Sequence, residues 1–127
     1  MKCFETGYKV NYVDENNRFV GYDLEPLCCE DAYHGCVPKD CLDRLSAADS
    51  SESVLELIAL HNVSDLSGFS FVDEPFIELS NKADIYSDFF AFRVIDAGGN
   101  ELFVVIGNCQ NGSYSHGFES FCGEGEL

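Results

Sequence analysis

Apolar and polar residues alternate early in the chain, with Tyr8, Val10 and Tyr12 separated by Lys9 and Asn11. A period of two puts one set of side chains on one face of a strand. Asp14 to Asn17 then supplies turn-forming residues, and Phe19, Val20, Tyr22 and Leu24 resume the apolar pattern until Pro26. The pattern predicts a β-hairpin whose second strand Pro26 ends.

The strongest pattern lies between Phe89 and Ile106. Phe90, Phe92 and Val94 alternate, Ala97-Gly-Gly-Asn100 forms a turn, and Leu102, Val104 and Ile106 alternate again. This predicts a central hairpin. A second turn signal, Asn111-Gly112, leads to a third strand within Ser113 to Phe121 and hence a meander. Phe69 to Leu79 is apolar but interrupted by Pro75, which suits an edge strand or a bend. The GEGEL tail after Cys122 is expected to fray.

Helical spacing is clearest from about Ser50 to Leu60, where Val54, Leu55, Leu57 and Ile58 follow the acidic start of Asp49 and Glu52. A short helical turn fits Asp40 to Leu45, and His61 to Gly68 reads as a polar loop. Together the elements predict an α+β domain: a twisted antiparallel sheet of about five or six strands with one main helix packed on one face.

With 127 residues the chain is expected to form one domain over residues 1–127. Hydrophobic residues make up 46%, with eleven Phe and six Tyr, which separates it from disordered acidic chains. One helix covers only part of one sheet face. A second aromatic face would then need a partner, and a homodimer is the simplest solution.

Twenty-three acidic against seven basic residues give a net charge of −16. Direct nucleic-acid binding is therefore disfavoured, since phosphate recognition needs a cationic surface. A basic protein partner is allowed, for which the chain would be an acidic decoy in place of nucleic acid, although such acidity also serves solubility.

The N-terminal MKCFETGYKVNYVDENN has no long apolar core of a secretory signal, and no apolar run approaches the ~18 residues of a membrane span. A cytoplasmic protein without membrane association is expected. Thiols stay reduced there, and seven cysteines, an odd number, argue against a disulfide framework.

Four of those cysteines and one of three histidines crowd into Leu27 to Cys41, LCCEDAYHGCVPKDC, which reads as a loop because Gly35 and Pro38 interrupt it. Cys28, Cys29, His34, Cys36 and Cys41 supply enough soft donors for zinc, and Cys109 or Cys122 could complete the set. The spacing lacks paired C-x-x-C units, and adjacent Cys28 and Cys29 point apart in an extended segment. Buried or free thiols and no cofactor are therefore the default expectation. Glu30, Asp31 and Asp40 would raise thiol pKa values, which opposes a cysteine nucleophile, and no catalytic residue is assigned. Asn108, Gln110, Ser113, Tyr114 and His116 gather polar groups at a strand connection and are candidate contacts for a ligand or partner, although turn chemistry explains the same residues.

Two fragments, Leu27 to Asp31 (LCCED) and Gly107 to Ser115 (GNCQNGSYS), resemble a family of small uncharacterised domains from phage and bacterial accessory genomes. That family pairs an early Cys-Cys-Glu with a late N-G-Y-Y-S-like turn. Ser113 here stands where the family has an aromatic, and the stretch with Cys36, Cys41 and the helix lies outside the pattern. The resemblance implies an antiparallel α+β domain encoded on mobile DNA, such as a phage or an integron cassette. It transfers no activity. The expected role is a non-enzymatic accessory protein that binds a protein partner or small ligand, with a metal-binding or redox Cys loop and an acidic decoy as alternatives.

Overall fold

A computed structural model describes residues 1–7, 9–23, 30–48, 51–73, 77–80, 87–110 and 121–124. In chain order the elements are β1 (Lys2–Thr6), β2 (Lys9–Val13), β3 (Arg18–Asp23), β4 (Glu30–Val37), α1 (Lys39–Ala47), α2 (Ser51–His61), β5 (Ser70–Phe71), β6 (Ile77–Ser80), β7 (Ser87–Ile95), β8 (Glu101–Gln110) and β9 (Phe121–Glu124). The α+β class with antiparallel sheets holds, but the strands form two sheets and there are two helices. Sheet A runs β1-β2-β3-β9, and sheet B runs β4-β8-β7-β5 with β6 also paired to β7.

Sheet B is apolar on both faces, and this decides the layering. On β8, Leu102, Val104 and Ile106 face one way and join Phe92 and Val94 of β7 against Val10, Tyr12, Val20 and Tyr22 of sheet A. Phe103 and Val105 face the other way, with Phe89 and Ala91, against Leu42 and Leu45 of α1 and Val54 and Ile58 of α2. The second aromatic face, which motivates a homodimer, is thus covered by sheet A of the same chain. A strand hidden on both faces has no polar side to show, which is why residues 102–106 read LFVVI without a break.

The expected β2–β3 and β7–β8 hairpins are present. Pro75 lies outside the described residues, and on either side of it β5 and β6 pair in succession with the same edge of β7. The N-terminal segment is a further strand, β1, which no apolar pattern marks. The third strand of the expected meander falls on residues 113–121, of which 113–120 lie outside the described residues. Two expectations are corrected. The tail expected to fray is ordered in part: β9 joins sheet A beside β3, where Gly123 and Glu124 pair with Phe19 and Arg18.

The second correction concerns the Cys-rich run, whose second half is regular. Glu30–Val37 pairs along its whole length with β8, and Pro38 then stands at the N-cap of a nine-residue helix. Gly35 does not break the strand. It is required there, because a Cβ would fall 2.8 Å from Ile58 Cγ2 and 3.2 Å from Asn62 Oδ1 of the overlying helix end. The outer edge of β4 is closed by the same segment: Cys36 N–H donates to Asn62 Oδ1 at 2.8 Å and Cys36 C=O accepts from Val63 N–H at 2.7 Å. These bonds blunt an otherwise unpaired strand edge. No helix among the described residues is long and apolar enough to cross a membrane.

Candidate ligand-binding site

Alternation along β4 divides its residues between two cores. Tyr33 and Val37 join the helical layer, whereas Cys36 joins the inter-sheet core. His34 shares the parity of Cys36, so its imidazole enters the space between the sheets at their border. Across from it stands β1, the edge strand of sheet A, in which Cys3 lies opposite Tyr12 and Glu5 opposite Val10. Residues two apart on a strand share a face, and Cys3, Glu5, Tyr12 and Val10 therefore line one surface.

His34 is held at both nitrogens. Its Nε2 lies 2.5 Å from Glu5 Oε1, and its Nδ1 lies 2.7 Å from the Tyr12 hydroxyl. A carboxylate only accepts, so in the neutral ring Nε2–H donates to Glu5 and Nδ1 accepts the Tyr12 O–H. Tyr12 meets the ring edge-on with centroids 5.7 Å apart, and Tyr22 lies tilted at 6.4 Å. The Tyr12 hydroxyl also hydrogen-bonds Cys3. One chain of polar contacts thus runs from Cys3 through Tyr12 and His34 to Glu5 and joins the two sheets.

The cluster sits where the core meets solvent. The His34 side chain is 22% exposed and that of Glu5 61%, while Tyr12 is buried. Burial pushes the Tyr12 hydroxyl far above its ordinary value and pushes Tyr22 up to about 12, with the nearby Cys3 and Glu5 adding to both effects. Burial also raises the Cys3 thiol; the Tyr12 hydrogen bond opposes this and the Glu5 charge reinforces it. Cys36 is pushed up to about 12, mainly by burial. The Tyr12 and Tyr22 hydroxyls and the Cys3 and Cys36 thiols are therefore neutral at pH 7.

Cys3, Glu5 and His34 each offer a donor atom, and the three atoms lie within 4.8 Å of one another. Neither Cys3 nor Glu5 stands out in the sequence, because β1 shows no apolar alternation to mark it as a strand, and Tyr12 reads there only as an apolar strand position. The available signal is weaker: Cys3 and Glu5, like His34 and Cys36, are spaced by two, as donors sharing one strand face must be.

The expected donor group does not assemble as one set. His34 and Cys36 face sheet A, but Cys41 is buried in the helical layer on the opposite side of sheet B. Cys28 and Cys29 lie outside the described residues. Of the polar run expected at a strand connection, Asn108 and Gln110 instead continue β8, paired with Ala32 and Glu30, while Ser113, Tyr114 and His116 lie outside the described residues. Cys3, Cys36 and Cys41 are free thiols.

No family model matches the chain, and neither a curated protein nor a solved structure is significantly similar to it. The likeness to small accessory-genome domains rests on the two sequence fragments alone.

Proposed function

We propose that this is a binding protein whose ligand docks at the border between the two sheets and contacts Cys3, Glu5 and His34. The observation that carries this reading is the position of His34: a partly exposed imidazole that bridges both sheets, with a thiol and a mostly exposed carboxylate beside it. The non-enzymatic accessory role expected from the sequence is kept, and its centre lies here rather than in the Asn108 to His116 run. Binding is favoured over covalent catalysis because Cys3, Cys36 and Cys41 all have raised pKa values, with burial the main cause. A thiol without a lowered pKa is a poor nucleophile.

The test is an NMR titration of isotopically labelled protein with a panel of small amines, carboxylates, amino acids and metal salts. At least one class is expected to shift the signals of Cys3, Glu5 and His34 together. Shifts confined to other regions, or none with the whole panel, would overturn the reading.

A further inference from the structure

We propose that Cys3 Sγ, the Glu5 carboxylate and a ring nitrogen of His34 bind a thiophilic divalent metal ion of the zinc class. This rests on the reading that the ligand site lies at the border of the two sheets, and it names the ligand.

The chemistry of the three donors comes first. A thiolate, an imidazole and a carboxylate are the side chains that zinc takes, whereas magnesium and calcium require sets of oxygen donors. The donors come from two strands in different sheets, so a shared ion would tie the layers together as the present hydrogen bonds do.

Distance is the second point. In a tetrahedral site with bonds of about 2.0 to 2.3 Å, neighbouring donor atoms stand about 3.3 to 3.6 Å apart. The three donors lie within 4.8 Å of one another, so the widest separation needs to close by about an ångström, whereas His34 Nε2 and Glu5 Oε1, 2.5 Å apart, need to open by about as much. Both moving side chains belong to an exposed edge strand, and Glu5 is 61% exposed, so rotamer changes suffice without disturbing the core.

Tyr12 supplies the third argument, because metal-bound histidines hydrogen-bond through their other nitrogen. Nε2 faces Glu5 and Nδ1 faces the Tyr12 hydroxyl. When Nε2 takes the metal, the ring proton resides on Nδ1 and is donated to the Tyr12 oxygen. The Tyr12 O–H is then released to donate to the Cys3 sulfur, which has given its proton to solvent. Tyr12 is thus a positioning residue able to support both the metal-free and the metal-bound states. The net charge of −16 also favours accumulation of cations at the surface.

Three protein donors are present among the described residues, which leaves a tetrahedral ion one position for water.

The experiment uses the full chain, freed of metal and kept reduced, titrated with Co2+ and then Zn2+. The expected result is a thiolate-to-cobalt charge-transfer band that saturates at one equivalent and is bleached by zinc. Cys3→Ser abolishes the band, and Glu5→Gln and His34→Gln weaken binding by at least about tenfold. Tyr12→Phe keeps the band but lowers affinity about tenfold, as loss of a ligand's hydrogen-bond partner does. Cys41→Ser changes nothing in the titration. Cys3 and Glu5 lie on an exposed strand, so their variants report binding rather than folding, and the metal-free melting temperature checks this. A band that persists in Cys3→Ser places the metal elsewhere and overturns the proposal. Absence of any band in the native chain also overturns it, and the binding reading then survives only if another member of the NMR panel still shifts His34.

Discussion

The carboxylate of Asp14 accepts the backbone N–H of Phe71 at 3.0 Å, although 57 positions separate the two residues in the chain. Asp14 stands at the β2–β3 turn of sheet A and Phe71 on β5 of sheet B, so this bond joins the sheets. The other carboxylate oxygen accepts from Asn16 N–H at 3.0 Å and Arg18 N–H at 2.9 Å, which holds the turn. Arg18 returns across the same junction: its Nη2 donates to the Phe71 carbonyl, and its Nε lies 3.6 Å from Asp14 Oδ2.

Three backbone donors depend on this one buried carboxylate, and each donor left unsatisfied costs about 1 kcal/mol or more. Asp14→Ala is therefore expected to lower stability by about 3 kcal/mol in urea unfolding. A loss below about 1 kcal/mol would show that Asp14 does not hold the sheets together.

Gly107 lies beneath the ring of Tyr33. A Cβ there would come 2.4 Å from Tyr33 Cζ and 2.7 Å from Phe89 Cβ. Neither neighbour can yield freely in a packed layer, so Gly107→Ala is expected to destabilise by about 1–3 kcal/mol. Adding Tyr33→Leu should return part of that loss, but not all, since Phe89 Cβ is fixed to its own strand. A double-mutant cycle by thermal unfolding measures the coupling, and simple additivity would refute the contact.

The β7–β8 turn carries a pH-dependent element. Asp96 Oδ1 accepts N–H bonds from Gly98 at 3.0 Å and Asn100 at 2.9 Å, and Oδ2 accepts from the Asn100 amide at 2.9 Å. The bonds to Asn100 contribute most to holding the Asp96 carboxyl below its usual 3.8. A lowered folded-state pKa means that this contribution is complete above about pH 4 and is lost as pH falls through the folded value. An NMR titration of the Asp96 carboxyl carbon should show a midpoint below 3.8, with Asn100→Ala moving it upward. An unshifted midpoint in the native chain would contradict the turn geometry.

Thiol accessibility separates the three described cysteines. Cys36 and Cys41 are 0% and 1% exposed, whereas Cys3 lies on an exposed edge strand. Under native conditions N-ethylmaleimide should modify Cys3 first, with Cys36 and Cys41 reacting only after urea unfolding. Peptide mapping by mass spectrometry resolves the three sites. Early labelling of Cys36 would mean that the inter-sheet core opens readily.

Local patterning determined the two hairpins, the helix within Ser51–His61 and the apolar residues that fill the cores. These follow from periods of two and about 3.6 and from turn-forming residues, each carried by a few neighbouring positions. The α+β class followed from them. What only the tertiary structure decided depends on pairings between distant segments. The uninterrupted run at 102–106 marks a strand covered on both faces, but nothing local says that sheet A covers one of them. Gly35 looks like a breaker until Ile58 and Asn62 are seen against it. Cys3 and Glu5 carry no periodic signal, because an edge strand exposed along its length needs no apolar alternation. They become a site only when β4 brings His34 to the border of the other sheet, and that approach is set by burial of the inter-sheet core, not by the spacing of cysteines along the chain.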